Sequence, residues 1–316
     1  MPLLGAITFI DPIALKLGPI QVHWYGIIIA TAVLAGAVLG TLEARRRGED
    51  PEQGWSMLLL VIVTSVVAAR LYHVIDQWGP VYSKQPWLIP QVWNGGIGIP
   101  GAIIGGAIGI WWYTRRTHLV FGRWLDIFAP ALLLGQAIGR FGNYVNQELY
   151  GPPISQCGQA GIPPCLQFGG VHIAAEHRLA QWPPTTFPVD TTTFVPLFAY
   201  EAVLNLAGMV LLLYLAKRFA SRLYDGDIAL LYIVWYGWVR SFLNLYRPDN
   251  WMIGPLPTST WLGIAGVIAA AAFLILRHLR GWGTPGAWMR RDDGGGQTDA
   301  QRRPSTAEPS SEPSPG

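Results

Sequence analysis

Seven apolar runs, divided by short polar interruptions, set the pattern of this chain. They lie near 22–42, 55–75, 96–114, 124–141, 194–216, 227–246 and 258–276. Each is long enough, at roughly 17–25 residues, to cross a bilayer core as a helix. The first run has no basic segment before it and no small-residue cleavage site after it, so it reads as a retained span and not as a signal peptide. The pattern predicts an all-α polytopic membrane protein with seven transmembrane helices and a loop insert between the fourth and fifth.

Composition agrees with the pattern. Of 316 residues, 51% are hydrophobic and 13% charged, where a soluble domain carries about 25% charged residues. Soluble nucleic-acid functions find no support, and nucleic acid is not expected as a partner. Charge placement then sets the orientation. Arg45, Arg46 and Arg47 follow the first run, and Arg115, Arg116 and Arg123 follow the third. Lys217, Arg218 and Arg222 follow the fifth; Arg277, Arg280, Arg290 and Arg291 follow the seventh. The alternate loops hold single charges: Lys16, Lys84, Arg178 and Arg247. Basic residues concentrate on the cytoplasmic side, so the N-terminus is expected outside and the C-terminus in the cytoplasm.

With that orientation the long segment 147–193, rich in Pro and Gly, becomes an extracytoplasmic loop region. It carries the only two cysteines, Cys157 and Cys165. Two thiols argue against a metal cluster or thiol relay, and no metal or cofactor is expected. Outside the cytoplasm they are expected to form a disulfide staple worth about 2–3 kcal/mol. Residues 1–283 are assigned to the transmembrane domain. The Gly-, Pro-, Ser- and charge-rich residues 284–316 are expected to be a disordered cytoplasmic tail.

Two features of the third run concern packing. Trp111, Trp112 and Tyr113 read as interfacial anchors. Gly101, Gly105 and Gly109 form a small-residue ridge that serves either close helix packing or a smooth wall for an acyl chain.

The candidate chemistry sits at the end of the fourth run, in residues 135–151. Gln136, Arg140, Asn143 and Gln147 fall at steps of four, three and four, so a continued helix stacks them on one face. Arginine and amides at the mouth of a membrane helix are costly unless they serve a site. Arg70 and Arg240 occupy the same level on the second and sixth runs, and Tyr236, Arg240, Asn244 and Arg247 repeat the polar face. The three arginines are expected to share one positively charged pocket that opens outward and suits a phosphate. Tyr25, His23, Tyr72, His73, Glu148 and Glu201 lie near that level. The two histidines read as interface anchors. Glu148 is open to three readings: orienting an arginine, taking a proton, or making a salt bridge. Asp126 and Asp227, near the inner ends, read as caps or arginine partners.

The run Gly139-Arg140-Phe141-Gly142-Asn143-Tyr144-Val145-Asn146-Gln147-Glu148, closed by Gly151, resembles the signature of the prolipoprotein diacylglyceryl transferases. His23-Trp24-Tyr25-Gly26, Pro196 with Tyr200-Glu201, and Tyr236-Gly237 with Arg240 extend the likeness over about residues 12–280. The resemblance implies a seven-span enzyme of the bacterial cell (inner) membrane. Its reaction would move the diacylglyceryl group of phosphatidylglycerol, a membrane lipid, to the lipobox cysteine of a prolipoprotein signal peptide, releasing glycerol 1-phosphate. It further implies catalytic roles for Arg240, Arg140, Tyr25, Asn143 and Glu148, and phosphatidylglycerol binding by Arg140, Asn143, Gly151 and Arg240.

Three positions depart from the pattern. Pro100 stands where many members carry a histidine, Asn244 where many carry a glutamate, and Val195 where a histidine precedes the proline. Proline cannot accept a proton, so no base sits at position 100. Two other classes compete: an anion transporter, which lacks the expected repeat between halves, and a different membrane acyl or phosphoryl transferase.

Overall fold

The computed structural model describes residues 9–18, 20–92, 95–96, 98–159, 162, 164, 169–247, 252–254 and 256–289. Seven long α-helices follow the seven apolar runs: α1 (Trp24–Arg46), α2 (Pro51–Asp76), α3 (Ile99–Arg116), α4 (Phe121–Val145), α5 (Leu197–Arg218), α6 (Asp227–Asn244) and α7 (Thr258–Arg280). A hairpin of β1 (Ile13–Leu17) and β2 (Ile20–His23) leads into α1, and the short pair β3 (Met252–Ile253) and β4 (Leu256–Pro257) leads into α7. Among the described residues α1, α2, α5 and α7 are long and apolar enough to cross a membrane. This is an all-α membrane protein. Helices α4 and α6 are less apolar for a physical reason: they carry Arg123, Asp126, Gln136 and Arg140, and Asp227 and Arg240, turned toward neighbouring helices.

Helix α4 is the post around which the bundle is built. It packs against α1, α3, α5 and α6, and it buries Trp124, Ile127, Ala129 and Leu133. Small residues bring α1 close to it: a methyl on Gly36 would lie 3.3 Å from the carbonyl oxygen of Ala131. Helices α2 and α3 meet along the glycine ridge. A methyl on Gly101 or Gly105 would run into the carbonyl oxygens of Ala68 and Thr64. Of the two readings left open for that ridge, helix packing is the one realised. Arg115 and Arg116 cover the faces of Trp111 and Trp112 at 5.9 and 5.2 Å, which joins charge and aromatic anchor at one end of α3.

At that same end, buried ion pairs tie the helices together. Arg123 bonds Glu49 at 2.6 Å and Asp225 at 3.0 Å. Arg47 bonds Asp126 at 3.3 Å; burial pulls its guanidinium below the ordinary arginine range while Asp126 opposes the shift. Asp126 also accepts from the backbone of Gly226 and Ala229, both at 2.9 Å, which places its charge on the N-terminus of α6. Asp227 accepts from Arg277 at 3.2 Å and pairs with His278 at 2.8 Å. Both aspartates are thus arginine partners, and Asp126 also caps α6.

Two features of the chain's course go beyond the sequence expectations. Residues 284–289 are docked and not a loose tail: the Gly286 amide donates to Leu223 O at 2.9 Å, and the Trp288 ring covers Arg46 and Arg47 at 5.3 and 5.4 Å. The ring's attraction for two guanidiniums adds to that backbone bond in holding a segment whose composition alone promises no order. The rest of the expected tail, 290–316, lies outside the described residues. In the loop between α4 and α5, Tyr150, Ile173, Trp182 and Phe194 form a small core of their own. Arg178 braces it, donating to the carbonyls of Ile173 and Phe187 while its guanidinium lies 5.1 Å from the Phe194 ring. Cys157 is disulfide-bonded; the other cysteine, Cys165, lies outside the described residues.

Candidate active site

The polar residues of the signature gather at the end of α4 opposite Arg123, about 25 Å along the helix from it. Arg140 and Arg240 come from α4 and α6, and Glu201 stands between them on α5. One oxygen of Glu201 accepts from Arg140; the other accepts from Arg240 at 3.5 Å. Glu201 is buried, while the two arginine side chains keep 16% and 21% of their surface exposed, so both remain open to a ligand.

The chain of bonds continues along α4. Arg140 donates to Asn143 Oδ1 at 3.1 Å, and Asn143 Nδ2 donates to Glu148 Oε1 at 2.9 Å. Asn146 donates to the same Glu148 oxygen at 3.3 Å. Glu148 is therefore held by two amides; the carboxylate paired with Arg140 is Glu201. Tyr236, one turn before Arg240 on α6, stacks its ring on Tyr232 with centroids 5.8 Å apart. Tyr232 in turn accepts from Gln136 Nε2 at 2.9 Å.

Tyr25 reaches the signature from α1. Its ring lies so close to Gly142 that a methyl there would sit 2.7 Å from it, which explains a glycine between Arg140 and Asn143. Gly151 has a packing position: its amide donates to Val195 O at 2.8 Å, and a methyl would press on Val195, Leu197 and the Tyr246 carbonyl. Helix α4 ends at Val145, so Gln147 leaves the face that a continued helix would have given it. It turns left-handed at φ 54°, and its side chain accepts from Ala174 N at 2.6 Å in the loop.

Arg70 does not join the other two arginines. Its guanidinium donates to the carbonyls of Leu88 (2.5 Å), Ile89 (2.8 Å), Gly95 (2.6 Å) and Gly96 (3.0 Å). Four carbonyls leave the group no free face for a phosphate, and Arg70 instead clamps the α2–α3 loop. Asn244 likewise turns away, donating to Ser259 Oγ at 2.8 Å and fastening α6 to α7. His73 packs edge-on against Tyr82, and His23 ends β2 just before α1. The residue that sequence reasoning undervalued is Glu201. Its signal was a carboxylate beside Tyr200 in the first turns of an apolar helix, a position that makes sense only opposite a cation.

Two guanidiniums share one buried carboxylate, held on three separate helices, α4, α5 and α6, and a second carboxylate, Glu148, joins the set through Asn143. The fold and site thus define a membrane-embedded helical protein with an Arg–Glu–Arg cluster at one end of its bundle. The family model for prolipoprotein diacylglyceryl transferase matches residues 12–276. The chain belongs to that family. It is 35% identical over 269 residues to the phosphatidylglycerol–prolipoprotein diacylglyceryl transferase of Ligilactobacillus salivarius, covering 85% of this chain and 94% of that one. The Bacillus mycoides protein of the same name is 36% identical over 280 residues, with 88% and 96% covered. The Geobacillus kaustophilus protein is 36% identical over 274 residues, with 86% and 94% covered.

Proposed function

We propose that this protein transfers the diacylglyceryl group of phosphatidylglycerol to the lipobox cysteine thiol of a prolipoprotein, releasing glycerol 1-phosphate. The observation that carries the reading is the pair of guanidiniums from α4 and α6 meeting on the two oxygens of Glu201 while both side chains stay partly exposed. A phosphodiester carries one negative charge and presents two oxygens, which match two forked donors.

In the reaction, thiolate sulfur attacks the glyceryl carbon that bears the phosphate ester. The carbon–sulfur bond forms as the carbon–oxygen bond breaks, and the electron pair leaves on the phosphate oxygen. That oxygen gains charge in the transition state, so Arg140 and Arg240 stabilise it more than they stabilise bound lipid. The same field favours thiolate over thiol, and the thiol proton is released to water. Asn143 and Glu148 hold Arg140 and the headgroup in register, Tyr25 borders the headgroup across Gly142, and Gly151 fixes the turn behind it.

All seven helices are taken to cross the bacterial inner membrane, with the N-terminus outside and residues 1–283 forming the catalytic domain. Segment 147–193 then lies on the outer face and the C-terminal segment in the cytoplasm. The support is the distribution of Lys and Arg between alternate loops. The test is transfer of labelled diacylglyceryl from phosphatidylglycerol to a lipobox peptide by the purified protein in vesicles. Stoichiometric glycerol 1-phosphate and a thioether-linked lipid are expected. Anion flux without lipid turnover, or a different headgroup product, would overturn the reading.

A further inference from the structure

Beneath the arginines, four buried polar atoms have no hydrogen-bond partner among the described residues: Arg140 Nε, Gln136 Oε1, and both amide atoms of Asn205. Asn205 is fully buried. These atoms belong to a second polar layer one helical turn deeper than the first. Gln136 precedes Arg140 by four residues on α4, Asn205 follows Glu201 by four on α5, and Tyr232 precedes Tyr236 by four on α6. Helices α4 and α5 run antiparallel, so the register that brings Arg140 to Glu201 carries position 136 opposite 205. The hydrogen bond from Gln136 to Tyr232 already joins two members of that layer.

An amide between membrane helices with neither end bonded is costly, and such groups in folded proteins are met by buried water. Packing alone would favour leucine at position 205, as it does at Leu212 on the same face of α5. Asparagine there has a polar task.

We propose that Asn205 is a positioning residue that, with Gln136, holds ordered water against Nε of Arg140. The water accepts from Arg140 Nε and Asn205 Nδ2 and donates to Gln136 Oε1; a second water meets Asn205 Oδ1. Arg140 is then fixed on all three nitrogens, by Asn143, by Glu201 and by this water, and its plane is set before the lipid phosphate arrives. The consequence for lipid binding rests on the function proposed above, whereas the water site does not.

Two measurements test the two parts separately. A structure of the unmutated protein in lipid, at a resolution that orders water, is expected to show water bonded to Arg140 Nε, Gln136 Oε1 and Asn205. Direct protein partners for all four atoms would overturn the proposal whatever the activity proves to be. In the transfer assay, Asn205→Leu is expected to raise KM for phosphatidylglycerol about tenfold, the value of one hydrogen bond to a charged group. The effect on kcat should be smaller, and the melting temperature should be unchanged or higher. Gln136→Leu in the same background should add little, because both side chains act through the same water. Asn205→Leu with unaltered KM would overturn the positioning role. If that variant fails to fold, Asn205→Ser decides. Its hydroxyl should keep KM near the wild-type value, and a tenfold rise there would count against the proposal.

Discussion

Arg140 and Arg240 are held side by side by the two oxygens of a single carboxylate, one guanidinium to each oxygen of Glu201. One hundred residues separate them in sequence, yet each reaches the same anion from its own helix. A carboxylate in that position keeps like charges together in the absence of substrate and aims both forks at one place.

Removing either fork should abolish the chemistry more than the fold. Arg140→Ala and Arg240→Ala are each expected to lower kcat/KM for lipid transfer by about a hundredfold or more. Lysine at either position should recover only part of the loss, because it supplies charge without the fork. Near-normal turnover in both alanine variants would defeat the assignment.

Glu201→Gln keeps the shape of the side chain and removes its charge. With two partly buried guanidiniums left without their shared carboxylate, stability should fall by about 1–3 kcal/mol. Transfer should drop with it, and the two effects are read by a thermal melt in detergent and by the assay at a temperature well below the melt.

The glycine ridge between α2 and α3 offers a test of packing free of chemistry. Gly101→Ala and Gly105→Ala force the methyl against backbone oxygens of α2. Each should cost about 1–3 kcal/mol by overpacking, with KM for phosphatidylglycerol unchanged in whatever fraction stays folded.

Arg70 separates the clamp from the receptor. Arg70→Ala should expose the α2–α3 loop to protease, since four carbonyls lose their donor. Lipid affinity should change far less than in Arg140→Ala. Equal loss of affinity in the two variants would return Arg70 to the anion site.

Much of this arrangement was legible in the sequence. Hydrophobic runs marked all seven helices because an apolar stretch of this length admits few other structures. The spacing of Arg140 and Asn143 placed them on one face, and they share a hydrogen bond there. Gln147 broke the pattern because helix α4 stops two residues before it, and a helix end set by a left-handed turn leaves little trace in hydropathy. Arg70 looked like Arg140 because depth along a span can be counted from sequence, whereas the direction a side chain faces around the bundle cannot. Trp288 shows a third limit: a lone aromatic in a Gly- and Arg-rich segment is held by the guanidiniums of a distant helix end and by a neighbouring backbone bond to Leu223, neither of which hydropathy reveals.

The ion pairs around Arg123 have an effect beyond fastening neighbours. One guanidinium at the foot of α4 holds Glu49, in the turn between α1 and α2, and Asp225, in the turn between α5 and α6. Two hairpins far apart in sequence therefore share a single side chain, and losing it would release both together. That pole of the bundle should open as one cooperative unit and not helix by helix.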